Sequence, residues 1–449
     1  MSYRKKTQII QYGLLYVMLL IPGSCAVSRY LNTTILYGVV CGAYFLLLLF
    51  SKKYRDAYIP WFCVLLLLAT ITIRAKTNGV GPLSFLENIS MLIITYIAIA
   101  FDKQWFLTRF VKIVSVFAVI SIVFWAVFCI FPSLVDLWPA TTFWTQNLGT
   151  GQWATVLHGK GLWFYSYLEI HATRNCGFYT EPGVYQIVLN AALFILLFWK
   201  DKLRLKNEKQ YRTLVSIIFI TLITCQSTTG YIAMIVILAC FFCMHSRESN
   251  ALGFKANLLL LLVVAGAAVL IDYVIHGTDS ILYIQVINKI FGGTASGINI
   301  SDSTGQYRME TVQASFQALS EDLFGIGFDR FNTIRDSIDP AAVAASIATY
   351  AAVYGIVFWL LMMVTIFLPV FMRMKKPLLI LIFIFMFVNS TVSETYLFYP
   401  GLMLFPIYLT TRNTVVSFPS ANYDRQVENF FGIPKYGRCN TMKTFDSCS

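Results

Sequence analysis

Apolar runs long enough, or nearly so, to cross about 30 Å of hydrocarbon recur from the start of this chain to about residue 411, with polar segments between them. Twelve can be placed: Gln8 to Ser24, Ile35 to Ser51, Tyr58 to Ile73, Pro82 to Phe101, Phe110 to Leu134, Gly183 to Trp199, Thr213 to Cys225, Thr229 to Met244, Ala256 to His276, Ala348 to Phe371, Pro377 to Ser390 and Tyr396 to Leu409. A soluble core cannot absorb a chain that is 57% hydrophobic and only 12% charged. The expectation is therefore an all-α, polytopic membrane bundle over residues 1–411, followed by a polar, loosely ordered cytoplasmic tail over 412–449.

Lysine and arginine placement orients the bundle, because cytoplasmic loops retain positive charge. Most of the 34 Lys and Arg fall in alternate loops, from Arg4, Lys5 and Lys6 through Lys200–Arg212 to Arg373, Lys375 and Lys376, which places both termini inside. Thr213 to Met244 reads either as one long helix or as a hairpin broken at Gln226-Ser227-Thr228-Thr229-Gly230. Only the hairpin keeps the later basic segments inside, with Ser227 and Thr228 at its outer turn. The net charge of +12 then follows from topology and anionic lipid headgroups, and no basic, aromatic-interleaved nucleic-acid surface is present. The N-terminal run resembles a secretion signal but is expected to stay attached, since Pro22 stands where a lipoprotein cleavage site carries a Leu-like residue. The ten cysteines show neither a disulfide framework nor metal-ligand spacing.

Two outer segments are long, Val135 to Pro182 and Gly277 to about Ser346, and loops of this length usually carry function. Trp138, Phe143, Trp144, Trp153, Trp163, Phe164, Tyr165 and Tyr167 make the first an ordered aromatic layer, suited either to the lipid interface or to the face of a sugar ring. The second contains Asp302, a candidate helix cap, then Arg308 at the head of a helix expected from Met309 to Leu319, then a turn at Phe324-Gly325-Ile326-Gly327-Phe328. A further helix is expected over Pro340 to Tyr350.

The first segment ends in Arg174-Asn175-Cys176-Gly177-Phe178-Tyr179-Thr180-Glu181-Pro182-Gly183, which puts an Arg and a Glu at the mouth of a membrane helix. Ionisable groups in such a position are costly and tend to mark function. The guanidinium fork matches phosphate oxygens and stays charged at any relevant pH, so Arg174 suits a pyrophosphate and Arg308 can supply a second cation. Other readings are open: Glu181 also fits a helix start, Arg174 and Glu181 can pair with each other, and Arg308 can bridge to Glu310 or Asp302. His171 and Glu394 are further candidate proton acceptors, each with a plain alternative as a solvated or interfacial residue. Gly325-Ile326-Gly327 lacks the strand, third glycine and helix of a nucleotide fingerprint. No outer DxD or ExD pair calls for a divalent ion, and no cofactor motif is present.

These features together resemble the Wzy-type O-antigen and capsular polysaccharide polymerases of the O-antigen ligase and polymerase superfamily. The resemblance spans nearly the whole apolar region. It rests on about twelve helices with both ends inside, two enlarged periplasmic loops, Arg174 through Gly183, Ser227-Thr228-Thr229-Gly230, Arg308, and Phe324 through Gly327. The chain departs from the family's pattern of an Arg and a Gly ten residues apart in each large loop, since Arg174 and Gly183 have eight between them and Arg308 has no such partner.

The resemblance implies an enzyme of the bacterial inner membrane that transfers a growing glycan from undecaprenyl pyrophosphate to a lipid-linked repeat unit at the periplasmic face. It needs no cofactor, and it would work beside a flippase and a chain-length regulator. In that scheme Arg174 and Arg308 hold the pyrophosphate, and Glu181, or failing it His171 or Glu394, handles the acceptor proton. Tyr179, Gly183, Ser227, Thr228, Gly325 and Gly327 support the site. The related ligase that moves finished O-antigen onto lipid A core would use nearly the same donor site. A flippase of lipid-linked sugars also suits twelve helices, although transporters concentrate polar residues and broken helices near mid-membrane.

Overall fold

A computed structural model describes residues 3–23, 25–50, 56–76, 82–145, 155–244, 263, 266–267, 271–277, 280, 304–339 and 345–411. All of these lie in a unit spanning Met1–Thr414; the second unit, Val415–Ser449, holds most of the expected tail and lies outside the described residues, as does Asp302.

The architecture is helical. In chain order it comprises α1 (Tyr3–Leu20), α2 (Cys25–Tyr30), α3 (Thr33–Phe50), α4 (Tyr58–Lys76), α5 (Pro82–Phe101) and α6 (Lys103–Ile130), followed by a small sheet. Then come α7 (Pro182–Phe198), α8 (Glu208–Cys225), α9 (Thr228–Met244), α10 (Thr304–Glu321), α11 (Gly327–Ile338), α12 (Ser346–Tyr354), α13 (Ile356–Arg373), α14 (Pro377–Ser393) and α15 (Pro400–Thr410). By length and composition α3, α4, α6 and α13 can each cross a membrane, and six further apolar helices have 10–17 residues. These apolar helices mark a membrane protein, and among the described residues four are both long and apolar enough to cross by themselves. Proline shortens one of the expected crossings: Pro400 opens α15 and cuts the helix off from Tyr396 to Tyr399. The expected crossing at Ala256 to His276 lies mostly outside the described residues.

The helices divide into two kinds. α7 is buried on every side, from Val184 through Leu197, and packs against α6, α8, α9, α14 and α15, as an all-round apolar helix must. By contrast α3 leaves Ile35, Val39, Phe45 and Phe50 exposed, the last at 85%. Side chains of that size facing outward along one helix suit contact with hydrocarbon rather than water.

The first long segment is not helical, which the all-α expectation did not foresee. Three antiparallel strands, β1 (Ala140–Thr145), β2 (Thr155–Leu162) and β3 (Tyr165–Leu168), form a sheet in the order β1-β2-β3. Leu162 pairs with Tyr165, so Trp163 and Phe164 make a two-residue hairpin turn. Trp138, Phe164, Tyr165 and Tyr167 pack on Phe124 and Phe128 of α6. These four aromatics are used in holding the sheet to the bundle. The ordered layer is there, and each of its rings whose side chain is described serves packing, Trp163 by stacking on Tyr30.

In the second long segment α10 begins at Thr304, so Arg308 sits in its second turn rather than at its head. The glycine turn is present, with Gly325 and Gly327 at positive φ, and α11 follows it unforeseen. Of the helix expected over Pro340 to Tyr350, residues 340–344 lie outside the described residues, and a helix runs from Ser346 to Tyr354 after Ala345 in the left-handed conformation. Gly325 meets Gly355 backbone to backbone: a methyl on Gly355 would lie 2.4 Å from the Phe324 carbonyl carbon, and both glycines have φ near +90°. Replacing Gly355 with Ala combines a forbidden contact with a left-handed backbone, at a cost of about 1–3 kcal/mol from the backbone alone. Gly355→Ala is expected to lower the thermal midpoint of the detergent-purified protein by several degrees, read by the onset of aggregation.

Candidate functional site

Four helix ends converge around four ionisable side chains. Glu181 is the residue before α7, in extended conformation. Its side chain makes no capping hydrogen bond, so its part in the helix start is confined to the helix dipole. The Glu181 carboxyl lies within hydrogen-bonding reach of Glu394, which ends α14. Arg174 acts on Glu181 more strongly than Arg308 does, and Arg308 acts more strongly on Glu394.

Gly183 makes this seating possible. A Cβ there would lie 1.9 Å from Glu394 Oε1, so only a residue without a side chain lets the second carboxyl reach the first turn of α7.

The two carboxyls differ in protonation for stated reasons. Burial pushes both above the usual carboxylate range, with Arg174 and Arg308 pulling Glu181 back down. Glu181 stands at a helix N-terminus, whose dipole favours negative charge, while Glu394 stands at a helix C-terminus, whose dipole opposes it. Glu394 is 5% exposed; burial first, and then the neighbouring Glu181, hold it well above the usual range. Glu181 keeps accessible surface although protein surrounds it on most sides, which places its carboxyl on the wall of a recess. Of the two, Glu394 is therefore the carboxyl favoured to keep a proton, and Glu181 the one favoured to ionise.

The guanidiniums are underused. Burial lowers the pKa of both below the usual arginine range, with the carboxyls opposing the shift, yet arginine remains charged. Among the described residues neither makes a contact ion pair. The buried Nε of each has no hydrogen-bond partner. Arg308 Nη2 donates to the Ser393 carbonyl at 3.4 Å, at the C-terminal end of α14. Arg174 lies near Cys225, at the C-terminal end of α8. Each cation thus sits by a helix end of favourable sign.

Asn175 ties the Arg174 segment to the bundle. Fully buried, its Nδ2 donates to Ser121 Oγ at 3.1 Å and Thr224 Oγ1 at 2.9 Å, its backbone N–H to the Thr224 carbonyl at 3.0 Å, and its Oδ1 accepts from the Gly177 N–H at 3.0 Å. Ser166 of β3 holds the same segment from the other side, its N–H donating to the Gly177 carbonyl and its hydroxyl to the Phe178 carbonyl.

The other expected site residues fall into two groups. His171 touches Arg174, with Arg174 Nη1 at 3.4 Å from its Nδ1 and the Arg174 N–H donating to its carbonyl; that contact braces the arginine instead of offering a base to a substrate. Tyr179 is fully buried beside Phe178 with its hydroxyl unpartnered. Ser227 and Thr228 lie where α8 gives way to α9, after Gln226 at φ 49°, and Ser227 Oγ accepts from the Gly230 N–H as a cap. Gly325 and Gly327 are not part of the site. Gly325 packs on Val353 and Gly355 at the C-terminal end of α12, whereas Glu394 accepts from Ser346 at its N-terminal end, roughly 13 Å away along a helix of this length.

Sequence reading passed over Asn175, Ser121, Thr224, Gln186 and Asn190. The last two are buried on α7, Asn190 Nδ2 donating to Gln186 Oε1 at 2.9 Å, with Gln186 Nε2 and Asn190 Oδ1 unpartnered. The signal was available: two amides four residues apart in an otherwise apolar helix share one face.

One consequence is spectroscopic. At neutral pH the infrared spectrum of the purified protein should contain a protonated-carboxyl band that persists well above the ordinary carboxylate range. Glu394→Gln should remove it, and Gly183→Ala, by unseating Glu394, should shift it. A wild-type spectrum without the band would refute the protonated Glu394. Comparison of the chain with protein-family models, with curated proteins and with solved structures finds no match in any of the three, so the chemistry of this site is argued from its residues.

Proposed function

We propose that this chain is a glycosyltransferase that polymerises repeat units of a bacterial surface polysaccharide, O-antigen or capsule. In this reading its donor is a glycan on undecaprenyl pyrophosphate and its acceptor a lipid-linked repeat unit at the periplasmic face of the inner membrane. The observation that carries the proposal is the pair of arginines with buried, unpartnered Nε groups beside two carboxyls, one of which, Glu394, is buried and favoured to stay neutral. With Glu394 neutral, two guanidiniums stand against one carboxylate and leave net positive charge, which suits a pyrophosphate. The apolar helices around it suit a lipid carrier. The full set of about twelve crossings, with both termini cytoplasmic, belongs to the same reading, as does cooperation with a flippase and a chain-length regulator.

The acceptor hydroxyl oxygen attacks the anomeric carbon of the donor glycan. The bond from that carbon to the pyrophosphate oxygen breaks, and the electron pair leaves with undecaprenyl pyrophosphate. The hydroxyl proton passes to Glu181, the ionised and accessible member of the pair. Arg174 and Arg308 offset the charge that grows on the leaving group, and because they are desolvated beforehand each interaction is worth more than it would be in water. Glu394 orients Glu181, and His171 braces Arg174.

The test is glycan profiling of a strain lacking this protein, complemented with wild type or with Arg174→Ala, Arg308→Ala or Glu181→Ala at matched membrane abundance. The expected result is a ladder with wild type and single repeat units with each variant, corresponding to a rate loss of about 10²-fold or more. Long polymer left on the lipid carrier would favour the ligase, retention of the unit at the cytoplasmic face would favour a flippase, and a normal ladder with the variants would overturn the assignment.

Acidity supplies a second test. Burial raises the Glu181 pKa, so the base is lost as pH falls through a value above the ordinary carboxylate range. Turnover in membranes is expected to decline on acidification earlier than a solvated carboxylate would dictate, with Glu181→Gln slow and flat across the same range. A wild-type rate flat down to the ordinary carboxylate range would remove Glu181 from the role of base.

A further inference from the structure

The opposite end of α6 carries a second concentration of charge. Ser121 of α6 reaches the first site, and Trp105 lies about 24 Å away along the same helix. Around Trp105 four chain segments meet: the start of α6, the connection Trp199–Lys206, the end of α13 and the end of α15. Arg204 lies over the Trp105 ring at 4.8 Å, and Lys202 over the Trp199 ring at 4.1 Å. Lys103 and Lys202 share the Tyr408 ring, at 4.9 and 5.9 Å.

Cations normally avoid one another, yet Lys103 stands within electrostatic reach of both Lys202 and Arg373. The nearby carboxylates do not cancel this charge. Asp102 is engaged by Arg109 at 2.6 Å, and Asp201 and Asp56 act on Lys202 and Lys103 without forming contact pairs. Among the described residues Lys202 and Arg373 make no contact ion pair. Lys103 donates to the Thr411 carbonyl, which fixes its position without neutralising it. Burial takes solvation from Lys103 and Lys202, and the rings beneath the ammonium groups offset part of that cost. Together these contacts hold three like charges close to one another, with no counter-anion in contact among the described residues.

We propose that this cluster is a binding site for the headgroup of an anionic phospholipid, with Lys103, Lys202 and Arg373 gathering its phosphate. A lipid is favoured because the helix that ends in Arg373 exposes Leu368, Phe371 and Met372, at 50%, 56% and 72%, directly beside the cations. Acyl chains would run along that face while the phosphate sits at the helix end. The site is independent of the chemistry proposed for Glu181.

The test uses the full-length protein in detergent, titrated with phosphatidylglycerol or phosphatidylcholine and read by native mass spectrometry. Phosphatidylglycerol is expected to bind, and Lys202→Gln to weaken it about fivefold, the scale for one cation at a lipid surface. Lys202→Arg should keep binding, and Lys209→Gln, an exposed lysine outside the cluster, should leave it unchanged. Lys103→Gln with Lys202→Gln should weaken it further; if that pair fails to fold, the exposed Lys202 carries the test alone. Equal loss in Lys209→Gln, no loss in Lys202→Gln, equal affinity for phosphatidylcholine, or displacement by inorganic phosphate would each overturn the proposal.

Discussion

The partial withdrawal of charged groups from water at one place is the constraint on which the rest of this structure depends. Each buried charge costs several kcal/mol even after relaxation, so Arg174, Arg308 and Glu394 can stand beside Glu181, which keeps accessible surface, only where the fold offers compensation. It does so in three ways. Burial holds the Glu394 carboxyl well above its usual range and so favours its neutral form, each arginine sits by the negative end of a helix, and Glu181 sits at a positive end. What is left uncompensated is positive and has open hydrogen-bond donors. A recess of that kind is poised for an anion.

Rigidity around the recess follows from the same requirement. Partial charges are useful only if they do not reorient when a ligand arrives. α7 supplies the rigid floor, buried on every side, and Asn175 pins the Arg174 segment to α6 and α8 at once. The small sheet clamps that segment from above through Ser166, while its aromatics lock into α6. The aromatic layer serves the cation site by holding the backbone that presents Arg174.

Much of this was legible in the sequence, and the parts that were not share a physical cause. The apolar runs, the break at Gln226 and Ser227, and the choice of Arg174, Glu181, Arg308 and Glu394 as candidates follow from composition and from the cost of charge near hydrocarbon. The contact between Glu394 and Gly183 was not legible, because tertiary packing brings them together and no local pattern announces it. Gly183 enters the sequence analysis only through the family pattern; its steric part appears only when the Glu394 carboxyl is found where its Cβ would be. Gly325 failed in the opposite sense, a turn signal taken for site support whose glycine serves a backbone contact with Gly355. The strands were missed because a short segment rich in aromatic residues fits a lipid interface as well as a sheet.

The distribution of the four groups over the chain also bears on the kind of chemistry such a site can perform. A transporter places its polar groups in the unwound middle of a helix, where opposite faces can take turns at access. Here the charged groups belong to the ends of intact helices and to the segments joined to them: Arg174 before α7, Glu394 after α14 and Arg308 in the second turn of α10. Groups mounted in that way face one side only. They are suited to holding an anion still while a bond to it breaks, because two fixed cations stabilise the charge of a departing group more than that of a group still bonded. The accessible Glu181 between them completes the arrangement, since a base that stays wet while its partners are dry can accept a proton without losing the field that the arginines provide.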